Sequence, residues 1–368
     1  DEAAARLGVD PAEIRLRNLV GPGEELLPGR RPMDANLAAD LDLLAESLGW
    51  PHAARDASAG FGLSASDAGA FPVSTSLVRL HADGSASAYT GATELGQGSR
   101  TVLAQIAAEE LGLPLEKVSV VSADTGVGPY ERTTGASRTT TIAGRALMAA
   151  CADARSRIRT LAAQAYQVEE AAVEDVPEGV RVGGKEHGYG KVIRAWFGAD
   201  GEVAGTGTVR KAGEFAAMPP FWEVGIAGVA LRVDEETGKV SVDKLAAVGD
   251  VGFAVHPAMV RGQDAGAALM GLGAALSEEL VYDGEMLANG NLVDYRVPHF
   301  SDLPEEVELM LAERGDGPGP YGAKGGGEGS TNPVGGAVAS AIGRATGVWL
   351  RQLPATPERI WRLLRERG

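Results

Sequence analysis

The sequence predicts an α+β fold, because hairpins and helices alternate in blocks and no regular strand–helix–strand repeat runs through the chain. Two observations carry that class. Runs of alternating apolar residues flank turn dipeptides, and Asp83-Gly84 between "SLVRLHA" and "SASAYTG" is the clearest hairpin signal. Between such pairs lie alanine- and glycine-rich segments with helical spacing, whose small side chains permit close packing. No self-similarity at solenoid periods is present.

The chain starts inside an amphipathic helical pattern, "DEAAARLGVDPAEIRLRNLV", without an initiator methionine. Residues 21–34 mix Gly, Pro and charge without periodicity and read as a linker or an exposed crossing. Residues 36–48 repeat Leu37, Leu41, Leu44 and Leu48 on one helical face. After the hairpin at Asp83-Gly84, residues 101–111 form a helix with Leu103, Ile106, Ala107 and Leu111 inward, stopped by Gly112 and Pro114. "KVSVVSA" from Lys117 returns as a strand, and residues 139–163 read as one long alanine-rich helix. Short hairpins are predicted around Gly183-Gly184 and Asp200-Gly201, and a longer one over residues 235–238. Residues 263–280 are helical, with Gly266, Ala267, Gly271 and Gly273 marking close backbone approach. Asn332-Pro333 opens a helix of small residues, and the last helix starts at Thr356, with Pro357 in its first turn and Glu358 near the positive end of its dipole.

A chain of 368 residues buries a substantial core. Its 50 acidic against 34 basic residues, a net charge of -16, repel phosphate backbones and argue against nucleic acid as a partner. The single cysteine, Cys151, lies in an alanine-rich helix where it packs as a small hydrophobe. It rules out an iron–sulfur cluster or a Cys-rich zinc site held by this chain alone, and it suits a reducing cytoplasm. His256 and His299 stand alone without metal-ligand spacing, so no metal ligands are assigned. No apolar run is long enough to span a bilayer, and a cytoplasmic protein without a membrane partner is expected.

The densest chemical signal is Gly322-Ala323-Lys324-Gly325-Gly326-Gly327-Glu328-Gly329. Glycines let a backbone fold tightly and approach a bulky ligand, so this stretch reads either as a surface turn or as a loop that delivers one carboxylate, Glu328, as a general base. Gly96-Gln97-Gly98, followed by Ser99, sits directly before a helix; its amides either cap that helix or face anionic oxygens. "TTGASRTTT" gathers hydroxyls at Thr133, Thr134, Ser137, Thr139 and Thr140, relief from crowding at Gly135, and a phosphate-matching fork at Arg138. Gln263, at a strand-to-helix junction, reads as a helix cap or a ligand contact, and Lys324 as a cofactor contact or a carbonyl cap.

The run "GPYGAKGGGEGSTNPVGGAVASAIGRATG" from Gly319 resembles the C-terminal signature of the xanthine dehydrogenase and aldehyde oxidase family, in its molybdopterin-binding subunit. "GATELGQGSRTVLAQIAAEELG" from Gly91, "TTGASRTTTIAGRAL" from Thr133, "VDEETGKVSVDKLAAVGDVGFAVHPAMVRGQ" from Val233 and "LPATPERIWRLL" from Leu353 match in the family's order, over nearly the whole chain.

The resemblance implies a molybdenum cofactor, a molybdopterin commonly in its cytosine dinucleotide form, contacted by Gly96, Gln97, Gly98, Ser99, Thr134, Gly135, Ala136, Ser137, Arg138, Thr139, Thr140, Gln263, Lys324, Gly325, Gly326 and Gly327. It implies that Glu328 takes a proton from water at the metal while a C–H bond of an N-heterocycle or aldehyde is oxidised. Electrons would leave for iron–sulfur clusters and FAD on partner chains. Residues 1–22 would close a preceding molybdopterin-binding domain, and residues 23–368 would form the C-terminal one, with α+β lobes at about 70–180 and 215–368. The family's amino-terminal half is not in this sequence, so a hetero-oligomer with that half, an iron–sulfur subunit and a FAD subunit is expected. Some members place a pocket glutamine where this chain has Met270. The competing reading is a non-catalytic scaffold that binds the pterin dinucleotide.

Overall fold

The computed structural model describes residues 1–50, 59–122 and 124–367, and two four-stranded sheets organise it. Helices α1 (Glu2–Leu7), α2 (Pro11–Leu16) and α3 (Leu37–Ser47) come first. Asp10 caps α2 by accepting from the Ala12 and Glu13 amides, and Asn36 caps α3 by accepting from Ala39. Leu37, Leu41, Leu44 and Leu48 are buried together, as their four-residue spacing predicts.

Strand β1 (Ala59–Ala68) belongs to the first sheet, but its partner is far along the chain. Between them lies a complete lobe. Strands β2 (Ser74–His81) and β3 (Ala86–Thr90) pair antiparallel around Asp83-Gly84, as predicted. Helix α4 (Ser99–Leu111) crosses to β4 (Val118–Ser122), which pairs parallel with β3; Ala123, expected to end that strand, lies outside the described residues. Helix α5 (Gly144–Tyr166) follows, then a small antiparallel sheet of β5 (Val173–Val176), β6 (Gly179–Val182) and β7 (Lys185–Gly188). Helix α6 (Tyr189–Phe197) leads to β8 (Glu202–Val209), which pairs with β2 and completes the order β4-β3-β2-β8.

The first sheet resumes with β9 (Phe221–Val233), β10 (Val240–Asp250), helix α7 (Pro257–Leu276), a minor hairpin of β11 (Tyr282–Asp283) and β12 (Met286–Leu287), and β13 (Glu306–Ala312). Its order is β1-β9-β10-β13, with β10 and β13 parallel and the other pairs antiparallel. Helix α8 (Asn332–Thr346) lies across β1 and β9, and helix α9 (Pro357–Glu366), capped by Thr356, closes the chain.

Glycine in the strands sets how closely the helices dock. A Cβ at Gly62 would strike the Pro333 carbonyl of α8, and one at Gly207 would strike the Ala146 carbonyl and the Ala150 amide of α5. Both helices are rich in alanine at these seams, so backbone lies directly on backbone. Cys151 is buried in the α5 core, and burial pushes its thiol well above the usual range, which leaves it an inert packing group.

Several expectations need correction. The inserted lobe runs on to Val209, beyond residue 180, because β8 pairs with β2, and β1 at residues 59–68 joins the other lobe's sheet. Asp200-Gly201 joins α6 to β8 instead of two strands; Val192 and Ile193 anchor α6 in the core. The helix expected over 139–163 opens as a π-turn, Thr139–Ala143. The helix expected over 263–280 starts earlier, at Pro257, because His256 Nδ1 accepts from the Met259 amide. Residues 21–34 are no free linker: Met33 is buried, Trp222 Nε1 donates to the Arg31 carbonyl, and the Trp222 amide donates to Asp34.

Gly207→Ala should destabilise the fold by about 1–3 kcal/mol, the usual range for overpacking a tight seam. A lower urea midpoint with an unchanged slope is the expected reading.

Candidate cofactor and active site

Three loops converge on one cleft of about 730 Å³ between the lobes. The first is the hydroxyl-rich stretch before α5. Ala136 and Ser137 both take left-handed φ, at 54° and 49°, where non-glycine residues are strained, and the π-turn follows directly. Arg138 holds that strain in place. Its buried guanidinium donates to the carbonyls of Thr133 at 2.8 Å, Phe71 at 3.0 Å and Val73 at 2.8 Å, and pairs with buried Glu131. The expectation that Arg138 offers its fork to a phosphate is therefore corrected, since both terminal nitrogens are committed to the protein and only the buried Nε lacks a partner. Ser137, Thr139 and Thr140 line the cleft, while Thr134 Oγ1 accepts from the Thr93 amide at 2.8 Å and ties this loop to the next.

The second loop is the glycine-rich run before α8. A Cβ on Gly325 would collide with the Ser137 carbonyl, so the two loops interlock only because that residue is glycine. Gly327 has φ 114°, also accessible to glycine. Lys324 turns inward. Its buried Nζ donates to the Asp34 carbonyl at 2.5 Å and pairs with Asp250 and Asp316, each at 3.1 Å. Of its two readings, the inward cap is the one realised; the side chain staples the loop to the sheet end. Glu328 sits at the cleft wall, and Ser137 Oγ donates to its Oε2 at 2.7 Å. It is exposed there.

The third loop carries Gly96-Gln97-Gly98. Gln97 lines the cleft, yet its Oε1 accepts from Leu95 and its Nε2 donates to the Thr93 carbonyl, which shapes the loop internally. The amides expected to face an anion already have one. Glu94 accepts from Gly96, Gly98, Arg100 and the Ser99 hydroxyl, all within 3.1 Å, and fills the N-terminus of α4. Sequence reasoning passed over Glu94, although an acid shortly before a helix start is a capping signal. Gln263 on α7 links the loops: its Nε2 lies 3.5 Å from the Gly96 carbonyl, and a Cβ on Gly327 would sit 3.2 Å from its own Cβ. Met270, further along α7, is exposed in the cleft.

Beneath Glu328 lie two buried carboxyls that sequence reasoning also missed. Glu223 Oε1 accepts from the Gly329 amide at 2.9 Å, and Asp264 accepts from the Ser330 hydroxyl at 3.0 Å. Burial, with the Glu328 charge adding to it, pushes Glu223 up to about 7, and burial pushes Asp264 up to about 6. An acid inside the apolar strand "FWEVGIAGVAL" was the available signal, since buried acids are rare without a partner.

Residues 47–304 match the model of a molybdopterin cofactor-binding domain. The chain belongs to the molybdopterin cofactor-binding domain family. It is 30% identical over 389 residues to the putative xanthine dehydrogenase molybdenum-binding subunit XdhA of Escherichia coli (strain K12), covering 98% of this chain and 50% of that protein. The aldehyde oxidoreductase molybdenum-binding subunit PaoC of the same organism is 30% identical over 379 residues, covering 98% of this chain and 49% of its own length. The structure of quinoline 2-oxidoreductase from Pseudomonas putida 86 superposes with a TM-score of 0.86 at 27% identity, over 100% of this chain and 51% of that one. The α+β class and the resemblance seen in the motifs thus agree with these relatives, and the chain spans about half the length of the curated relatives it matches. No helix among the described residues is long and apolar enough to cross a membrane.

In this molybdopterin cofactor-binding chain, Arg138→Ala should cost about 3–5 kcal/mol of stability, because Glu131 is left as an uncompensated buried charge. The loss should appear in thermal unfolding of cofactor-free protein. An arginine that served only a phosphate would affect only the loaded form.

Proposed function

We propose that this chain is the molybdenum-cofactor-binding catalytic portion of a hydroxylase of the xanthine dehydrogenase and aldehyde oxidase type, with Glu328 as its general base. The observation that carries the reading is an exposed carboxylate, oriented by Ser137 at 2.7 Å, on the wall of a cleft that glycine and hydroxyl residues line together with apolar side chains.

The cleft suits a bulky pterin. Gly262 and Gly266 line it, and a Cβ at either would enter open space, so bare backbone leaves room for a ligand and none is needed for a neighbouring side chain. Gly135, Thr139, Thr140, Gln97 and Gln263 present backbone and neutral polar groups to the same space. Gly325, Gly326 and Gly327 let the loop carry Glu328 against the bound group, while Gly96, Gly98, Ser99, Ala136, Arg138 and Lys324 act by shaping and anchoring the loops. The cytosine dinucleotide form, of the kind the motifs imply, is the form we assign. When bound, the cofactor supplies the two-electron acceptor for oxidation of a C–H bond.

The work of the chain itself is proton handling. Ser137 donates to Oε2 of Glu328, which fixes the carboxylate plane and leaves Oε1 to take a proton from the attacking water. A positioned base of this kind contributes about 10²–10⁴-fold in rate. N-heterocycles and aldehydes are the substrate classes we assign, consistent with relatives named for xanthine, quinoline and aldehyde oxidation. The partners we assign are the amino-terminal half of the subunit, whose length the relatives carry in addition, and chains bearing iron–sulfur clusters and FAD. A cytoplasmic setting fits the lone buried thiol of Cys151.

Glu328→Gln keeps size and the Ser137 hydrogen bond but cannot accept the proton. In metal-replete assembled enzyme, kcat should fall by at least about 10²-fold while molybdenum content is retained. Normal turnover at full metal loading would overturn the assignment, and a KM change with kcat kept would give the loop a binding role only.

A further inference from the structure

Two neighbouring residues of α7 part ways at the site. Gln263 lines the cleft, whereas Asp264 lies beneath the turn that carries Glu328 and is only 2% exposed. The Ser330 hydroxyl, two residues after Glu328, donates to Asp264 Oδ1 at 3.0 Å. No cation among the described residues pairs with Asp264, and on its other side a Cβ on Gly249 of β10 would come within 2.8 Å of Oδ2. A buried carboxyl without a cation is unfavourable, and an apolar side chain in its place would often be the more stable choice. What this carboxyl holds is a hydroxyl of the Glu328 turn.

The turn and α7 meet in order along one face of the helix. A Cβ on Gly326 would sit 3.5 Å from Val260, one on Gly327 would sit 3.2 Å from the Gln263 Cβ, and one on Gly271 would strike the Thr331 carbonyl. Contacts of that kind are non-directional and let a loop slide along a helix. The hydrogen bond from Ser330 to Asp264 is directional and admits one register. On the opposite side Gly329 is held by β9 and β1: its amide donates to Glu223 at 2.9 Å, and its carbonyl accepts from Ser64 Oγ at 3.1 Å. We propose that Asp264 is a positioning residue for Glu328, acting through the Ser330 hydroxyl to fix the turn on α7; this deepens the functional reading above and rests on it. A displaced turn carries Glu328 away from the Ser137 hydroxyl, which donates to it at 2.7 Å. Misplacing a reacting group by about 1 Å can cost about 10²-fold in rate.

Replacing both partners by apolar groups separates positioning from stability, because no buried polar atom is then left without its partner. Asp264→Leu combined with Ser330→Ala should keep a urea midpoint near wild type. In the metal-replete complex, kcat should nevertheless fall by about 10–10²-fold, with KM and molybdenum content kept. In the Glu328→Gln background the same pair should bring no further loss, since a residue that acts through Glu328 has nothing left to position. Asp264→Asn keeps an oxygen acceptor for Ser330 and should retain most of the wild-type kcat. Ser330→Ala alone is read in the same two backgrounds, so the comparison stands even where the pair misfolds.

Amide hydrogen exchange of the intact complex needs neither metal nor turnover. The peptide spanning residues 325–331 should exchange about tenfold faster in the paired variant and in Ser330→Ala, while peptides from α5 stay as in wild type. Unchanged exchange over 325–331, an unchanged kcat in the metal-replete paired variant, or an equal further loss in the Glu328→Gln background would each overturn the proposal. Faster exchange over 325–331 in a complex whose Glu328→Gln variant turns over normally at full metal loading would sink the functional reading and leave the clamp on the turn standing.

Discussion

The cleft depends on one close approach, that of Gly325 to the carbonyl of Ser137, where no Cβ fits. Two loops nearly two hundred positions apart are locked by that contact, and the hydrogen bond from Ser137 to Glu328 is its direct result. Each loop is then secured from behind by a buried cation. Arg138 fixes the strained backbone at Ala136 and Ser137 through three carbonyls and Glu131, and Lys324 ties the glycine run to Asp34, Asp250 and Asp316. Backbone strain of this sort costs on the order of 1–3 kcal/mol per residue and persists only where the surroundings over-determine it. Here two ion-paired anchors supply that determination.

The same economy of side chains runs through the whole fold. Glycines at 62 and 207 bring α8 and α5 onto their sheets with helix backbone against strand backbone. Rigid docking of this kind fixes the loops at the sheet ends, and those loops carry the site. The inserted lobe between β1 and β9 provides the hydroxyl-rich loop and the Gln97 loop, while the lobe of the first sheet provides Gln263 on α7, Glu223 on β9 and Glu328 on the turn before α8. The cleft lies where the two lobes face each other, a common place for a ligand to bind.

Electrostatics in the site runs against the simplest expectation for a basic carboxylate. Burial acts on Glu223 and Asp264, and Glu328 itself faces the cleft. The buried Glu223 and the surface Glu328 repel each other, and the turn of Gly329 and Ser330 lies between the surface acid and the two acids below. The helix N-terminus of α4, which would attract an anion, is already satisfied by Glu94. Around Glu328 the chain therefore offers a ligand neutral hydroxyl, amide and backbone groups beside apolar side chains, and the buried cations Arg138 and Lys324 serve the loops.

Much of this was legible in the sequence, because it depends on local pattern. The hairpin at Asp83-Gly84, the leucine stripe of α3, the Thr356-Pro357 start of α9, the α+β class and the family motifs all rest on neighbouring residues whose spacing carries the signal. What tertiary structure alone decided is the direction in which side chains point. Arg138 and Lys324 look like ligand contacts in a linear reading, since a cation in a glycine- or threonine-rich loop suits a phosphate. Arg138 is held by the carbonyls of Phe71 and Val73, and Lys324 by buried Asp250 and the Asp34 carbonyl, all far away in sequence, and only the fold brings them within reach. Glu223 and Asp264 escaped notice for the same reason: one lies in an apolar strand, the other inside a helix, and neither neighbours Glu328 in sequence. A carboxyl's role is set by the charges and donors around it in space, and sequence order does not encode those distances.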